Sequence, residues 1–463
     1  MNTGTILVSI TLATLTWGDG APTSSPGGGT HAADRGYRLL TTKAYLPADF
    51  DQEVFDELWK TWEEPLRTQA ENTTVEERRK MAFSRYGLTA RPGEEGTGAE
   101  GTNAPLQYVD DGHRGWVMNC FACHGGKVAG RVIPGAPNSL YALETLTDEV
   151  RATKLRLGKP LGHMDLGGAT MPLGRTIGTT NAVIFGIVLL TYRDADLNVH
   201  HDRLPPKLVH HDHDAPPWWN IKKKRFLYAD GGVPKSHRAL MQFLLLPKNG
   251  PEKFREWEND YRDVLAWIES LEAPKYPFTI DGTLAEQGER LFVEHCGRCH
   301  GTYGPRGSYP EVNVPIDEVG TDRARFDSIP VTWRENYSAT WFGHYGEKAV
   351  KRDLPGYVAP PLDGVWASPP YLHNGSVPTL WHVLHPDRRP TVWTRRDEDG
   401  YDTERVGLEI SALDEVPVAA RRGALRRRYF DTREFGKSAE GHLFPDVLGE
   451  DEKRAVLEYL KTL

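Results

Sequence analysis

Two segments of this chain carry the same pattern of apolar and polar positions. Tyr261 to Leu271 aligns without gaps on Lys453 to Leu463, so that Val264, Leu265, Trp267, Ile268 and Leu271 match Val456, Leu457, Tyr459, Leu460 and Leu463. Apolar residues at i, i+1, i+4 and i+7 predict an amphipathic helix with one buried face in each. A third helix is predicted from Leu284 to His295, running directly into Cys296. Nearer the start, Val54, Phe55, Leu58 and Trp59 stand at helical spacing with Asp51 as N-cap. Thr74-Val-Glu-Glu reads as a capping box opening a helix to about Tyr86. Ala182 to Leu190 is apolar but too short to span a bilayer, so a buried helix is expected. Residues 91–104 are rich in Gly, Glu and Pro and predict a loop.

These elements divide the chain. Ile6 to Trp17 is a short apolar run resembling the core of a secretory signal, giving a signal segment over 1–20. No Lys or Arg precedes it, which is atypical. Residues 21–36 read as a linker. Ala273-Pro-Lys-Tyr-Pro-Phe278 reads as a second linker, placing one domain at 37–275 and another at 276–463. The expected fold class is mainly α, with two haem domains bearing long loop insertions.

The chemistry is carried by two pentapeptides that use every cysteine present. Cys120-Phe-Ala-Cys123-His124 and Cys296-Gly-Arg-Cys299-His300 both match Cys-x-x-Cys-His, the c-type haem attachment signature. Two thiols form thioethers with the haem vinyl groups, and the adjacent histidine becomes an axial iron ligand. A zinc ribbon needs its Cys pairs about 15–20 residues apart, and these lie well over a hundred apart. No βαβ pattern suggests a thioredoxin-like site. Four cysteines in 463 residues do not make a disulfide framework. Two covalently bound haem c groups are therefore expected. Each motif lies upstream of one copy of the repeated helix, a plan similar to that of cytochrome c domains. Export follows, because covalent haem c is assembled on the outer side of the bacterial inner membrane.

Composition narrows the partners. The 56 basic and 64 acidic residues give a formal net charge of −8, which argues against nucleic-acid binding. A small-molecule or polymer substrate, or a redox partner protein, remains. Calcium is compatible with the sequence, which names no site for it. Thirteen tryptophans supply aromatic packing for cofactors as well as for ordinary cores.

Function turns on the sixth iron ligand, since a closed iron relays electrons and an open one binds oxygen or peroxide. None of the six methionines follows Cys296, so histidine is expected at the second haem. The candidates are His344, His373, His382, His385 and His442. His373 has the most specific setting, between Pro369-Pro370 and Asn374-Gly375, where a turn-rich loop can fix one imidazole. A histidine bonded within its turn is the alternative. For the first haem, Met164 or Met171 could ligate, or the site is open. His200-His201 and His210-His211-Asp212-His213 have the composition of a metal site, with a solvated loop as the other reading. His237 and Glu144 are candidate proton donors. Lys222, Lys223, Lys224 and Arg225 could pair with haem propionates.

The string Trp366-Ala-Ser-Pro-Pro-Tyr-Leu-His-Asn-Gly-Ser-Val-Pro-Thr-Leu380 resembles the C-terminal haem domain of the di-haem rubber-oxygenase-like proteins, relatives of bacterial di-haem cytochrome c peroxidases. Pro216 to Lys224, Lys235 to Met241, Asp431-Thr432, Gly436, Gly441-His442 and the final helix are similar to the same group. The resemblance implies that His373 closes the second haem, which becomes six-coordinate and low-spin. It implies that the first haem reacts with peroxide or dioxygen, with Trp218, Trp219, Phe226 and Phe243 as distal-side candidates. The substrate is not carried over. The competing reading is an electron carrier with both irons closed.

Overall fold

Both copies of the repeated segment are helices, and each crosses a second helix at a glycine. In the computed structural model, which describes residues 31–92, 104–204, 209–329, 331–343 and 354–463, Glu258–Ser270 packs on His31–Thr42, and Glu450–Thr462 packs on Gly282–His295. A Cβ on Gly36 would stand 2.1 Å from the Asp263 carbonyl oxygen and 2.9 Å from Trp267 Cβ. A Cβ on Gly288 would stand 1.9 Å from the Ala455 carbonyl oxygen and 2.9 Å from Tyr459 Cβ. Asp263 with Ala455, and Trp267 with Tyr459, are equivalent positions of the repeat. The repeated unit is thus a helix pair held at one register, with glycine letting the two axes approach.

Local signals behave as the sequence expects. Asp51 caps Gln52–Glu57 by accepting from the Val54 amide, and Thr74 caps Val75–Tyr86 by accepting from the Glu77 amide. Ala182–Thr191 is a helix that buries Ile184, Ile187 and Leu190. Among the described residues, no helix is long and apolar enough to cross a membrane. The signal segment and most of the 91–104 loop lie outside the described residues, as does His344. Residues 31–36, expected as the end of a linker, are instead the first turns of helix His31–Thr42.

The expectation of a mainly α fold is corrected. Among the described residues, helices are joined by two three-stranded and four two-stranded antiparallel sheets. Two discrete cytochrome-like domains are not evident either, because the halves share cores. Trp219, Val128 and Ala136 from the first half pack with Phe292, Val365, Trp366 and Leu460 from the second. Strand Val392–Arg395 reaches back, and Arg395 donates to the Ser139 carbonyl and hydroxyl. Segment 273–278 is irregular but anchored, with Trp366 Nε1 donating to the Pro274 carbonyl at 2.8 Å.

Candidate functional site

The two Cys-x-x-Cys-His motifs have the same local geometry. Each forms one helical turn, closed by His124 N–H to the Cys120 carbonyl at 3.1 Å and by His300 N–H to the Cys296 carbonyl at 3.0 Å. The first turn is clamped on both sides. Asn119 accepts from the Phe121 amide and donates to the Leu40 and Leu106 carbonyls. Asn138 donates through its side chain to the Ala122 carbonyl and through its backbone to the Cys123 carbonyl. The second turn is held by Tyr303, whose hydroxyl donates to the His300 carbonyl and accepts from the Leu362 amide.

Both histidines are oriented by a proline carbonyl. His124 Nδ1–H donates to the Pro216 carbonyl at 3.1 Å, and His300 Nδ1–H donates to the Pro360 carbonyl at 2.9 Å. Such a bond fixes the tautomer and leaves the Nε2 lone pair for a metal. The two carbonyl-bearing segments are themselves joined. Trp219 Nε1 donates to the Asp363 carbonyl at 2.6 Å, and Asn220 Nδ2 donates to the Pro361 carbonyl at 2.8 Å. The orientation of one histidine is therefore tied mechanically to that of the other.

Burial holds these groups neutral. It lowers the His124 pKa to about 4, against the raising effect of the Pro216 carbonyl, and it lowers that of His300. Burial also raises the thiols, Cys120 to about 12 and Cys123 and Cys296 to about 11. None of the four is in a disulfide. Neutral, desolvated thiols are poor nucleophiles and do not suit a thiol-redox site.

The ring neighbours of the two histidines differ. His442 lies opposite His300, with ring centres 6.2 Å apart and planes at 64°. An imidazole–metal–imidazole sandwich spans roughly 6 Å between ring centres when metal–nitrogen bonds are about 2 Å. His442 is fixed there by a left-handed backbone (φ 50°), by its amide donating to the Val319 carbonyl, and by Gly441 lying flat on Gly320. Burial, with His300 and Arg389 nearby, lowers its pKa to about 3. His373 is placed elsewhere. Its ring lies 4.4 Å from that of Tyr357, and the charges bearing on it are those of Arg325 and His211. The rigid loop around His373 points it toward that cluster. At the other motif, the Trp218 indole stacks on His124 with ring centres 4.4 Å apart at 21°.

The remaining expected residues separate. Trp218 lies against His124, and Trp219 is buried in the core of the second helix pair. Phe243 is 40% exposed, and Phe226 is half-buried in a two-residue strand. Met164 lines a small cavity with Asp49, Tyr108 and Asp165, and Met171 is buried in the core with Ile184 and Ile187. His237 pairs with Glu258 at 3.1 Å. Glu144 accepts from the Leu173 amide and faces Arg427, and burial raises its pKa. Lys222, Lys223 and Arg225 already pair with Glu272, Asp363 and Glu311. His210 to His213 are not a solvated loop: His211 is 1% and His213 5% exposed. Among the described residues, no group of three or more His, Cys, Asp or Glu side chains is arranged to hold a metal ion.

The two Cys-x-x-Cys-His turns thus share one local geometry, each with its imidazole oriented by a proline carbonyl. A family model matches a short segment in the second half of the chain. The family described as RoxA-like, cytochrome c-like matches residues 356–394, the segment that carries Pro360, Trp366 and His373. Two uncharacterised proteins of Sinorhizobium fredii (strain NBRC 101917 / NGR234) are similar. Protein y4iM is 28% identical over 270 residues, 53% of this chain and 60% of the relative. Protein y4iJ is 29% identical over 260 residues, 42% of this chain and 41% of the relative. The chain thus spans about half the length of the curated relatives it matches.

Proposed function

We propose that this chain is an exported di-haem c-type oxidoreductase. In this reading Cys120, Cys123 and His124 hold one haem, and Cys296, Cys299 and His300 hold the other. The residues fit that group: each cysteine pair is half-buried and outside any disulfide, and each histidine has its Nδ1 engaged and its Nε2 available. When bound, haem supplies the electron-transfer and oxygen or peroxide chemistry. The protein supplies ligands, orientation and access.

The observation that carries the reading is the pairing of each attachment motif with a proline carbonyl on its histidine. The contrast in ring partners supports different roles for the two sites. His442 opposite His300 supports a closed, low-spin, electron-relaying second site, with His442 rather than His373 as sixth ligand. The ring partner of His124 is an indole, which has no lone pair to offer a metal. That contrast supports the first site as the one that meets peroxide or dioxygen. Trp218, stacked on His124, acts there as a positioning residue for the imidazole. Trp219 and Asn220 keep the two ligand-bearing segments in register.

Haem content and spin state test the proposal. The purified protein is expected to carry two covalent haems by mass and by pyridine haemochrome assay, and Cys120→Ala with Cys123→Ala is expected to halve that. Its electron paramagnetic resonance spectrum should contain one high-spin and one low-spin species, and the reduced protein should bind carbon monoxide. Two low-spin haems indifferent to carbon monoxide would replace this reading with the electron carrier.

A further inference from the structure

The core beneath the first attachment motif contains a line of polar groups that the ligand geometry does not use. Tyr108 and Tyr141 are buried, with their hydroxyls 3.0 Å apart. Tyr141 donates to Met118 Sδ at 3.3 Å, so Tyr108 is the donor between the two hydroxyls. A thioether is a weak acceptor, which leaves the Tyr141 proton ready to turn to a stronger one. The pair packs in one cluster with Ala122, the residue before Cys123. Asn138 joins it to the motif: its amide donates to the Cys123 carbonyl at 2.8 Å, and its carbonyl accepts from the Tyr141 amide at 3.1 Å.

The other end of the line is a buried acid. Asp49 accepts from the Met118 amide through Oδ2 at 3.3 Å. Its Oδ1 lies 3.3 Å from His163 Nε2 but off the direction of a hydrogen bond, so it has no partner among the described residues. Asp49 and Tyr108 line one cavity of about 10 Å³, room for a single water. An unpaired carboxylate oxygen in a core is costly, and a retained one has a reason, a bound water or a proton-handling role among them. Asp49 and Cys123 both bear on each tyrosine hydroxyl, which sets the pair between the acid and the motif.

The charges around Asp49 leave it as the group that responds. Lys154 and Asp165 face it as a closed ion pair, and Lys154 also donates to the Asp49 carbonyl. Burial, with Lys154 and Lys248 nearby, lowers the pKa of half-buried His163 to about 4, so it is neutral near pH 7. Burial keeps both tyrosines protonated. Burial also raises Asp49 to about 7, against the Met118 amide and Lys154. Proton transfer works best from a group matched to the working pH.

We propose that Asp49 is the proton reservoir of the first haem site, feeding it through a water in the cavity and the hydroxyls of Tyr108 and Tyr141. The proposal rests on the di-haem reading above. Reducing one hydrogen peroxide to two waters consumes two electrons and two protons. The electrons come from an added reductant. Each proton leaves Asp49, is handed on by the water, Tyr108 and Tyr141 in turn, and is replaced from solvent on the His163 side. Asp49 acts through the tyrosines and does not touch the substrate.

The midpoint potential of the high-spin haem in the full-length protein, followed by visible spectra from pH 6 to 8, tests the reservoir. Reduction adds negative charge, which draws a proton onto a nearby acid. The wild-type potential is therefore expected to fall as pH rises through 7. Asp49→Asn, which imitates the protonated acid, should flatten that dependence while covalent haem content and the low-spin potential stay at wild-type values. Tyr141→Phe and Tyr108→Phe should keep the pH dependence. Each should slow re-oxidation of the dithionite-reduced protein by hydrogen peroxide in stopped flow, on the order of 10²-fold. A wild-type potential flat over this range, or a pH dependence that survives Asp49→Asn, overturns the reservoir. Wild-type re-oxidation rates in both tyrosine variants overturn the path. If Asp49→Asn does not fold, the tyrosine variants decide alone. Protein without covalent haem, or with two low-spin haems, refutes the underlying reading instead, before any titration.

Discussion

The imidazoles of His300 and His442 meet edge to face with ring centres 6.2 Å apart, although the two lie 142 positions apart in sequence. That spacing suits a six-coordinate iron between them. His442→Ala is therefore expected to convert the low-spin haem to high-spin while both haems stay covalently attached. His373→Ala should leave the low-spin signal in place, because its ring sits against Tyr357. Electron paramagnetic resonance of the two variants decides between the histidines, and a low-spin signal lost only in His373→Ala reverses the assignment.

The clasp between Trp219 and Asp363 ties the segment that orients His124 to the segment that orients His300. Trp219→Phe keeps the packed ring but leaves the Asp363 carbonyl without its donor. A buried acceptor stripped of its partner costs about 1–3 kcal/mol. Denaturant unfolding should show that loss, and both haem spectra should broaden or shift together. A change at one haem alone contradicts the coupling.

Gly36 and Gly288 mark the crossing points of the repeated helix pair. An alanine methyl at either would enter a carbonyl oxygen, and the neighbour is backbone that cannot swing aside. Gly288→Ala is expected to destabilise the protein by about 3 kcal/mol or more, at the upper end of overpacking costs. Gly36→Ala should behave alike because the register is the same. A melting temperature within a degree of wild type in either variant refutes the shared crossing.

Much of this was legible in sequence, for definite reasons. The helices at 258–270, 282–295 and 450–462 follow from apolar spacing sustained over several turns, which no other element imitates. The attachment motifs are local, so spacing alone displays them. The small sheets were invisible because their strands run two to four residues, too short for an alternating pattern to emerge. His373 looked best because prolines and Asn-Gly make its loop rigid, but rigidity does not say where a side chain points. His442 was one of five histidines named for the second site, and what sets its place near His300 is a left-handed backbone and the contact of Gly441 on Gly320, both tertiary. The run Lys222 to Arg225 looked uniform, and only ion pairs made at a distance distinguish Lys224 from its neighbours.

Acid should unfold this protein through buried histidines outside the two Cys-x-x-Cys-His turns. Burial lowers the pKa of His163, His211 and His382 to about 4 each, from 6.5 in an open chain. Above pH 6.5 these groups are neutral in both states and cost nothing. As pH falls from 6.5 toward 4, the unfolded chain takes up protons that the folded one refuses, so stability falls across that window. Each group contributes on the order of 3 kcal/mol by pH 4. Asp49 acts in the opposite sense. Its burial raises its pKa to about 7 from 3.8, so it stays protonated when folded and its contribution declines as pH rises toward 7. Three histidines outweigh one aspartate. Thermal melts by circular dichroism should fall steadily from pH 7 to pH 4.5. His382→Gln, which keeps a polar partner for Thr379, should flatten that slope. A melting temperature independent of pH over this range shows that these histidines are not desolvated as the fold implies.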